Sequence, residues 1–133
     1  MIIIDTGPIV ALFDKDDNYH VVCHDIIRSV KEPLITTIPV LTEAFYLLRF
    51  SWNLQDDLWE FVTHGNLQVY NLDKSLLKEC RGLMKKYHDL PMDMADATLA
   101  AVADAENINT VFTLDGDFKI YRTKQNKRFK LLP

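Results

Sequence analysis

The chain switches repeatedly between two rhythms of apolar positions. Residues 1–4 form a short apolar run, β-branched through Ile2, Ile3 and Ile4, which stops at the first charge, Asp5, and reads as a buried strand. Asp5-Thr6-Gly7-Pro8 then reads as a turn. Over residues 17–31, Tyr19, Val22, Cys23, Ile26 and Val30 recur at helical spacing, and Pro33 stops that helix. Residues 34–37 are a second short strand. Pro39 stands where the first turn of a helix tolerates it, and the apolar run through Leu48 continues that helix. Residues 54–64 predict an amphipathic helix with Leu54, Leu58, Phe61 and Val62 on one face and Gly65 as its C-terminal cap.

Residues 67–72 are strand-like. Asp73 can cap a helix running to about residue 88, striped by Leu76, Cys80, Leu83, Met84 and Tyr87. Beyond Pro91, residues 93–106 predict an Ala-rich helix closed by Asn107. Residues 110–114 are a β-branched strand and residues 129–132 a last short one. Strands alternating with helices predict an α/β fold, with a mainly parallel central sheet flanked by helices, in one domain over residues 1–133.

Composition agrees with that picture. A chain of 133 residues, 48% apolar and 26% charged, can bury a core, which excludes disordered, collagenous and disulfide-scaffold classes. No stretch approaches the roughly 18 apolar residues of a membrane span. Two cysteines without paired spacing fit a reducing compartment, so a cytoplasmic location and no membrane partner are expected. The net charge of −4 speaks against a phosphate-rich partner until its distribution is followed. Nine of the fifteen basic residues and all nineteen acids precede Phe118, so the body carries −10. The remaining segment carries +6, from Lys119, Arg122, Lys124, Lys127, Arg128 and Lys130.

The informative acids stand in apolar surroundings. Asp5 is the only charge among the first thirteen residues, and Glu43 the only one between Glu32 and Arg49. Carboxylates are rarely buried without a partner, and neither has a basic neighbour in sequence. Asp93 and Asp96 share one face at the start of the Ala-rich helix, and Asp115 and Asp117 flank Gly116 just after a strand. All of these positions fall at strand ends or in the first turns of helices, which converge on one crevice in a parallel α/β sheet. Carboxylates gathered there repel one another unless cations are bound. Hard divalent ions prefer such oxygen ligands, and one or two of them can activate water for phosphodiester cleavage.

Taken singly, each acid also has an ordinary role as a cap or turn residue; their convergence at one sheet edge favours the metal reading. His20, Cys23 and His24 could suggest zinc, but Cys23 lies on the apolar stripe and no second ligand pair follows. His64 and His88 fit helix ends. Ser29, Ser51 and Ser75 lie outside any nucleophile motif, and the four glycines form no phosphate-binding loop.

The ordered set Ile2-Ile3-Ile4-Asp5-Thr6, Glu43, Met92-Asp93-Met94-Ala95-Asp96-Ala97 and Thr113-Leu114-Asp115-Gly116-Asp117-Phe118 resembles the PIN-domain family of ribonucleases, in particular the VapC-type toxins of toxin–antitoxin pairs. The resemblance spans nearly the whole chain. It implies a three-layer, Rossmann-like fold, a Mg²⁺ or Mn²⁺ site of one or two ions, an RNA substrate, a small protein antitoxin and a homodimer. Residue by residue, Asp5, Glu43, Asp96 and Asp115 match the family's acidic, metal-binding and catalytic quartet. Thr6 and Thr113 match the supporting hydroxyls, and Asp117 an accessory acid. Asp93 is ranked below Asp96, as a supporting residue.

The function expected from these residues is metal-dependent endoribonuclease activity. Lys119, Arg122, Lys124, Lys127, Arg128 and Lys130 are expected to contact the RNA backbone. Two alternatives belong to other classes. A Mg²⁺-dependent phosphatase resembling the haloacid dehalogenases wants a second Asp two residues after its nucleophile, where Gly7 stands. A non-catalytic PIN-like module that binds RNA or protein would be expected to have lost acids of the quartet.

Overall fold

The computed structural model describes residues 1–133. Five short strands, β1 (Ile2–Ile4), β2 (Leu34–Thr36), β3 (Leu67–Val69), β4 (Thr110–Phe112) and β5 (Lys130–Leu132), form one sheet in the order β3-β2-β1-β4-β5. Every pairing is parallel, with Ile3 of β1 opposite Ile35 of β2 and Val111 of β4. The first two crossovers run outward from β1 to β2 and β3; the third brings the chain back past β1 to β4. Right-handed connections therefore put their helices on opposite faces. The strand order reverses beside β1, at the point where open parallel sheets place their ligands.

Six helices fill the crossovers: α1 (Thr6–Phe13), α2 (His20–Ser29), α3 (Ile38–Leu47), α4 (Trp52–Thr63), α5 (Lys74–Lys86) and α6 (Met94–Glu106). Helix α1 packs against α2, α3 and α4, while α5 packs on α6, which also meets α3. Ala95 through Ala103 of α6 are all buried, because alanine lets neighbouring elements approach the helix closely on every side. Ile3, Ile4, Phe112, Leu99 and Val102 are almost wholly enclosed. Each large apolar side chain so buried contributes about 1.5–3 kcal/mol.

The largest difference from the sequence reading is at Asp5-Thr6-Gly7-Pro8. Helix α1 begins directly at Thr6, with Asp5 as its N-cap accepting from the Thr6 amide. Pro8 occupies the first turn, where no intrahelical partner awaits its missing N–H. The strand expected over residues 67–72 ends at Val69, and its Gln68 and Val69 are exposed at the sheet edge. Gly65 follows the α4 cap His64 in the left-handed region, and Asn107 closes α6 in the same conformation.

The basic C-terminal segment does not form one face. After a 3₁₀ turn (Gly116–Lys119), a bridge between Arg122 and Arg128 folds the chain back on itself. Lys124 lies beside Asn107 and Asn109, and Lys130 pairs with Thr110, so both stand at the edge where β4 begins. The acids stand where it ends.

Candidate metal centre

The aspartates of the cleft are placed by local backbone motifs at the C-terminal edge of the sheet. Asp5 directly follows β1 and caps α1; its second oxygen accepts from the Thr113 hydroxyl at 2.8 Å. Thr113 directly follows β4, and its hydroxyl oxygen accepts from the Asp115 amide at 2.9 Å. Asp115 in turn accepts the Asp117 amide and starts the 3₁₀ turn. Asp93 caps α6 by accepting the Asp96 amide, which sets Asp96 in the first turn facing β1. One oxygen from each of Asp5, Asp96 and Asp115 lies within 4.8 Å of the others.

Those three acids line a cleft of about 250 Å³ together with Thr6, Gly7, Glu43, Asp93 and Leu114. Glu43 projects from α3 and accepts from the Thr6 hydroxyl at 3.1 Å. It is exposed at the mouth rather than buried, because α3 turns this side of its apolar run toward solvent. Gly7 keeps the cleft narrow, since a β-carbon there would come within 3.3 Å of Leu114. Asp117 is outside the lining, held two residues beyond Asp115 by the 3₁₀ turn.

The electrostatics follow from this crowding. Burial pushes the Asp5 carboxyl up to about 6, against the lowering effect of its Thr113 and Thr6 hydrogen bonds. Burial, then the charges of Asp5 and Asp93, push Asp96 up to about 8. Partial desolvation at the cleft mouth, and then the Asp93 charge, also raise Glu43, against its Thr6 hydrogen bond. The chain's two ion pairs, between the N-terminus and Glu32 and between His88 and Asp89, lie elsewhere. A cluster of oxygen donors with no cationic side chain fits a hard divalent cation. Binding one would displace the proton that Asp96 otherwise retains at neutral pH.

One residue of the site had no signal in the sequence. Tyr121 is almost fully buried, and its hydroxyl donates to Asp96 at 3.0 Å. Of the basic residues, Lys119 lines a second cavity, next to the acidic cleft, with Tyr19, Thr113 and Asp115. The Arg122 guanidinium folds back onto the carbonyls of Lys119, Ile120 and Tyr121. Cys23 is buried in the core, and His20 is bonded through Nδ1 to the Ala11 carbonyl, so their roles are structural.

A family model described as the PIN domain matches residues 2–124, which includes every acid of the cleft. The chain belongs to the PIN domain family. Among relatives of this PIN domain, Ribonuclease VapC26 of Mycobacterium tuberculosis is 26% identical over 134 residues, covering 98% of this chain and 99% of its own. Among solved structures, the fold is similar to M. tuberculosis VapC20, a sarcin-ricin loop cleaving toxin, with a TM-score of 0.83, 22% identity, and coverage of 90% of this chain and 94% of that one. It is also similar to VapBC2 from Rickettsia felis, bound to a DNA fragment from its promoter, with a TM-score of 0.69, 19% identity, and coverage of 98% and 97%. The five-stranded parallel sheet with its six helices is thus a PIN-domain fold.

Proposed function

We propose that this PIN domain is a Mg²⁺- or Mn²⁺-dependent endoribonuclease acting as the toxin of a toxin–antitoxin pair. The observation that carries the reading is the Asp5, Asp96 and Asp115 cluster, with its oxygens within 4.8 Å and no basic partner. The ribonuclease and toxin names of the relatives support it.

Asp5, Asp96 and Asp115 would hold one or two ions, with Glu43 completing the set from the mouth of the cleft. A bound ion would supply an acidified water to attack phosphorus and positive charge to stabilise the departing oxygen. The Thr113 hydroxyl fixes one Asp5 oxygen and, through the Asp115 amide, ties the ends of β1 and β4 into one rigid unit. Thr6 does the same for Glu43. Asp93 acts through the helix start it caps, and Asp117 through the turn that aims Asp115.

Contact with the RNA backbone narrows to Lys119, which shares a cavity with Asp115 and the exposed Tyr19 ring. A cavity lined by a lysine and an exposed aromatic ring suits a phosphate and a neighbouring base. Lys124 and Lys130 stand at the other edge of the sheet and serve the surface there. Exposed Tyr46, Leu47, Phe50, Trp52 and Trp59 around the α3–α4 connection offer an apolar surface for an antitoxin or a second copy of the chain. No helix is long and apolar enough to cross a membrane.

The test is incubation of the purified protein with cellular RNA, in Mg²⁺ or Mn²⁺ and in EDTA, followed by sequencing of new ends. Discrete sites with 5′-phosphate ends that require the metal are the expected result. Intact RNA in both metals, or equal cutting in EDTA, would overturn the reading.

A further inference from the structure

Asp5 and Asp96 are both buried in the cleft, yet they are held in different ways. Asp5 receives two donors from its own surroundings, the Thr6 amide and the Thr113 hydroxyl. The Asp96 carboxylate receives one, the hydroxyl of Tyr121, at 3.0 Å on Oδ2. That hydroxyl comes from a residue 25 positions away in sequence. The geometry points to Tyr121 as the positioning residue of the metal centre: its hydroxyl holds Oδ2 so that the other Asp96 oxygen is presented to the cation. This inference rests on the metal-site reading above.

The local structure shows why the hydroxyl can do this. Asp115 opens the 3₁₀ turn, and the chain running on through Phe118 packs Tyr121 behind the cleft. The Tyr121 ring stands edge-on to Tyr87 and to Phe118, each with centroids 5.0 Å away. Its amide is anchored on the Asp117 carbonyl at 3.2 Å. A ring flanked by two aromatic neighbours on an anchored backbone delivers its hydroxyl to a fixed point. The same short segment therefore supplies one acid of the cluster, Asp115, and orients another, Asp96. Partners of this kind, which orient a ligand from outside, typically contribute 10- to 100-fold in metal affinity.

Titration of Mn²⁺ by calorimetry at one fixed pH provides the test, using wild type, Tyr121→Phe, Tyr87→Phe and Asp96→Asn. Tyr121→Phe keeps the aromatic packing and removes only the hydroxyl; a Kd raised about 10-fold or more is expected. Tyr87 belongs to the same aromatic cluster, but its hydroxyl accepts from the Arg122 amide and does not reach Asp96, so Tyr87→Phe is expected to keep the wild-type Kd. Equal affinity in Tyr121→Phe and wild type would overturn the role of Tyr121 while leaving the metal site standing. Equal weakening by both Phe variants would reduce that role to packing. Wild type that binds no Mn²⁺, or binds it as Asp96→Asn does, would overturn the metal reading itself.

A second measurement needs no substitution at Tyr121 in the reporting sample. In protein labelled with 3-fluorotyrosine, saturating Mg²⁺ shifts the Tyr121 fluorine resonance and leaves that of exposed Tyr46 in place. A Tyr121 resonance that ignores Mg²⁺ would refute the proposal even if the Phe variant failed to fold.

Discussion

Replacing Asp96 with asparagine should make the metal-free protein more stable at pH 8 while destroying its metal site. Asparagine keeps an oxygen that can accept from Tyr121 and removes one negative charge from a group whose oxygens lie within 4.8 Å of one another. Two unit charges at that separation repel by about 3–4 kcal/mol at an effective dielectric of about 20. Solvent at the open cleft and partial protonation reduce this, leaving an expected gain of about 1–3 kcal/mol. For a chain of this size that is a rise in Tm of about 3–10 °C.

The pH dependence fixes the sign. Burial and neighbouring charges raise Asp96 from 3.8 to about 8 on folding, so across that window the folded chain holds a proton that the unfolded chain has lost. This group's contribution to stability is complete below about pH 4 and is lost as the pH rises through about 8. Thermal denaturation in EDTA from pH 4.5 to 8.5 should show wild type and Asp96→Asn converging at the acid end and separating toward the alkaline end. Millimolar Mn²⁺ should then reverse the ranking at pH 8, raising wild type alone. An asparagine variant that is less stable than wild type at pH 8 in EDTA would refute the reasoning.

Three other outcomes are expected. Thr113→Val removes both the donor to Asp5 and the acceptor of the Asp115 amide, and should weaken Mn²⁺ binding about 10- to 100-fold by calorimetry. Lys119→Ala, measured on RNA with an Asp5→Asn background that leaves the RNA uncut, should lower the salt slope of binding by about 1, whereas Lys124→Ala should leave it unchanged. Leu99→Ala, at a fully enclosed position on α6, should cost about 2–5 kcal/mol in urea denaturation without changing Mn²⁺ affinity.

The sheet and the acids were legible because both depend on local pattern. Apolar Ile2–Ile4 ending at a lone Asp, and Asp93 three residues before Asp96, announce a strand end and a helix start by their own chemistry. Helix α1 was hidden because Asp5, Gly7 and Pro8 are turn formers as well as helix-start residues, and only the packing of α1 against α2, α3 and α4 decides between them. Glu43 lines the cleft, but its exposure was not foreseen, since an apolar run does not say which side of its helix faces water.

The basic tail looked uniform in sequence. The Arg122–Arg128 bridge and the pairing of β5 carry its later lysines to the far edge of the sheet, a separation set by tertiary structure alone. Tyr121 was invisible for the same reason, since no spacing rule links a tyrosine to a carboxylate 25 residues earlier.

Metal-dependent cleavage of RNA by the Asp5, Asp96 and Asp115 cluster is the proposed activity on which the other expectations depend. Its most direct test compares initial cleavage rates of wild type, Asp5→Asn and Asp115→Asn on one RNA that wild type cuts, at saturating Mn²⁺. Rates at least about 100-fold lower are expected in both variants, with cutting by wild type abolished in EDTA. Equal rates in the three proteins would contradict it.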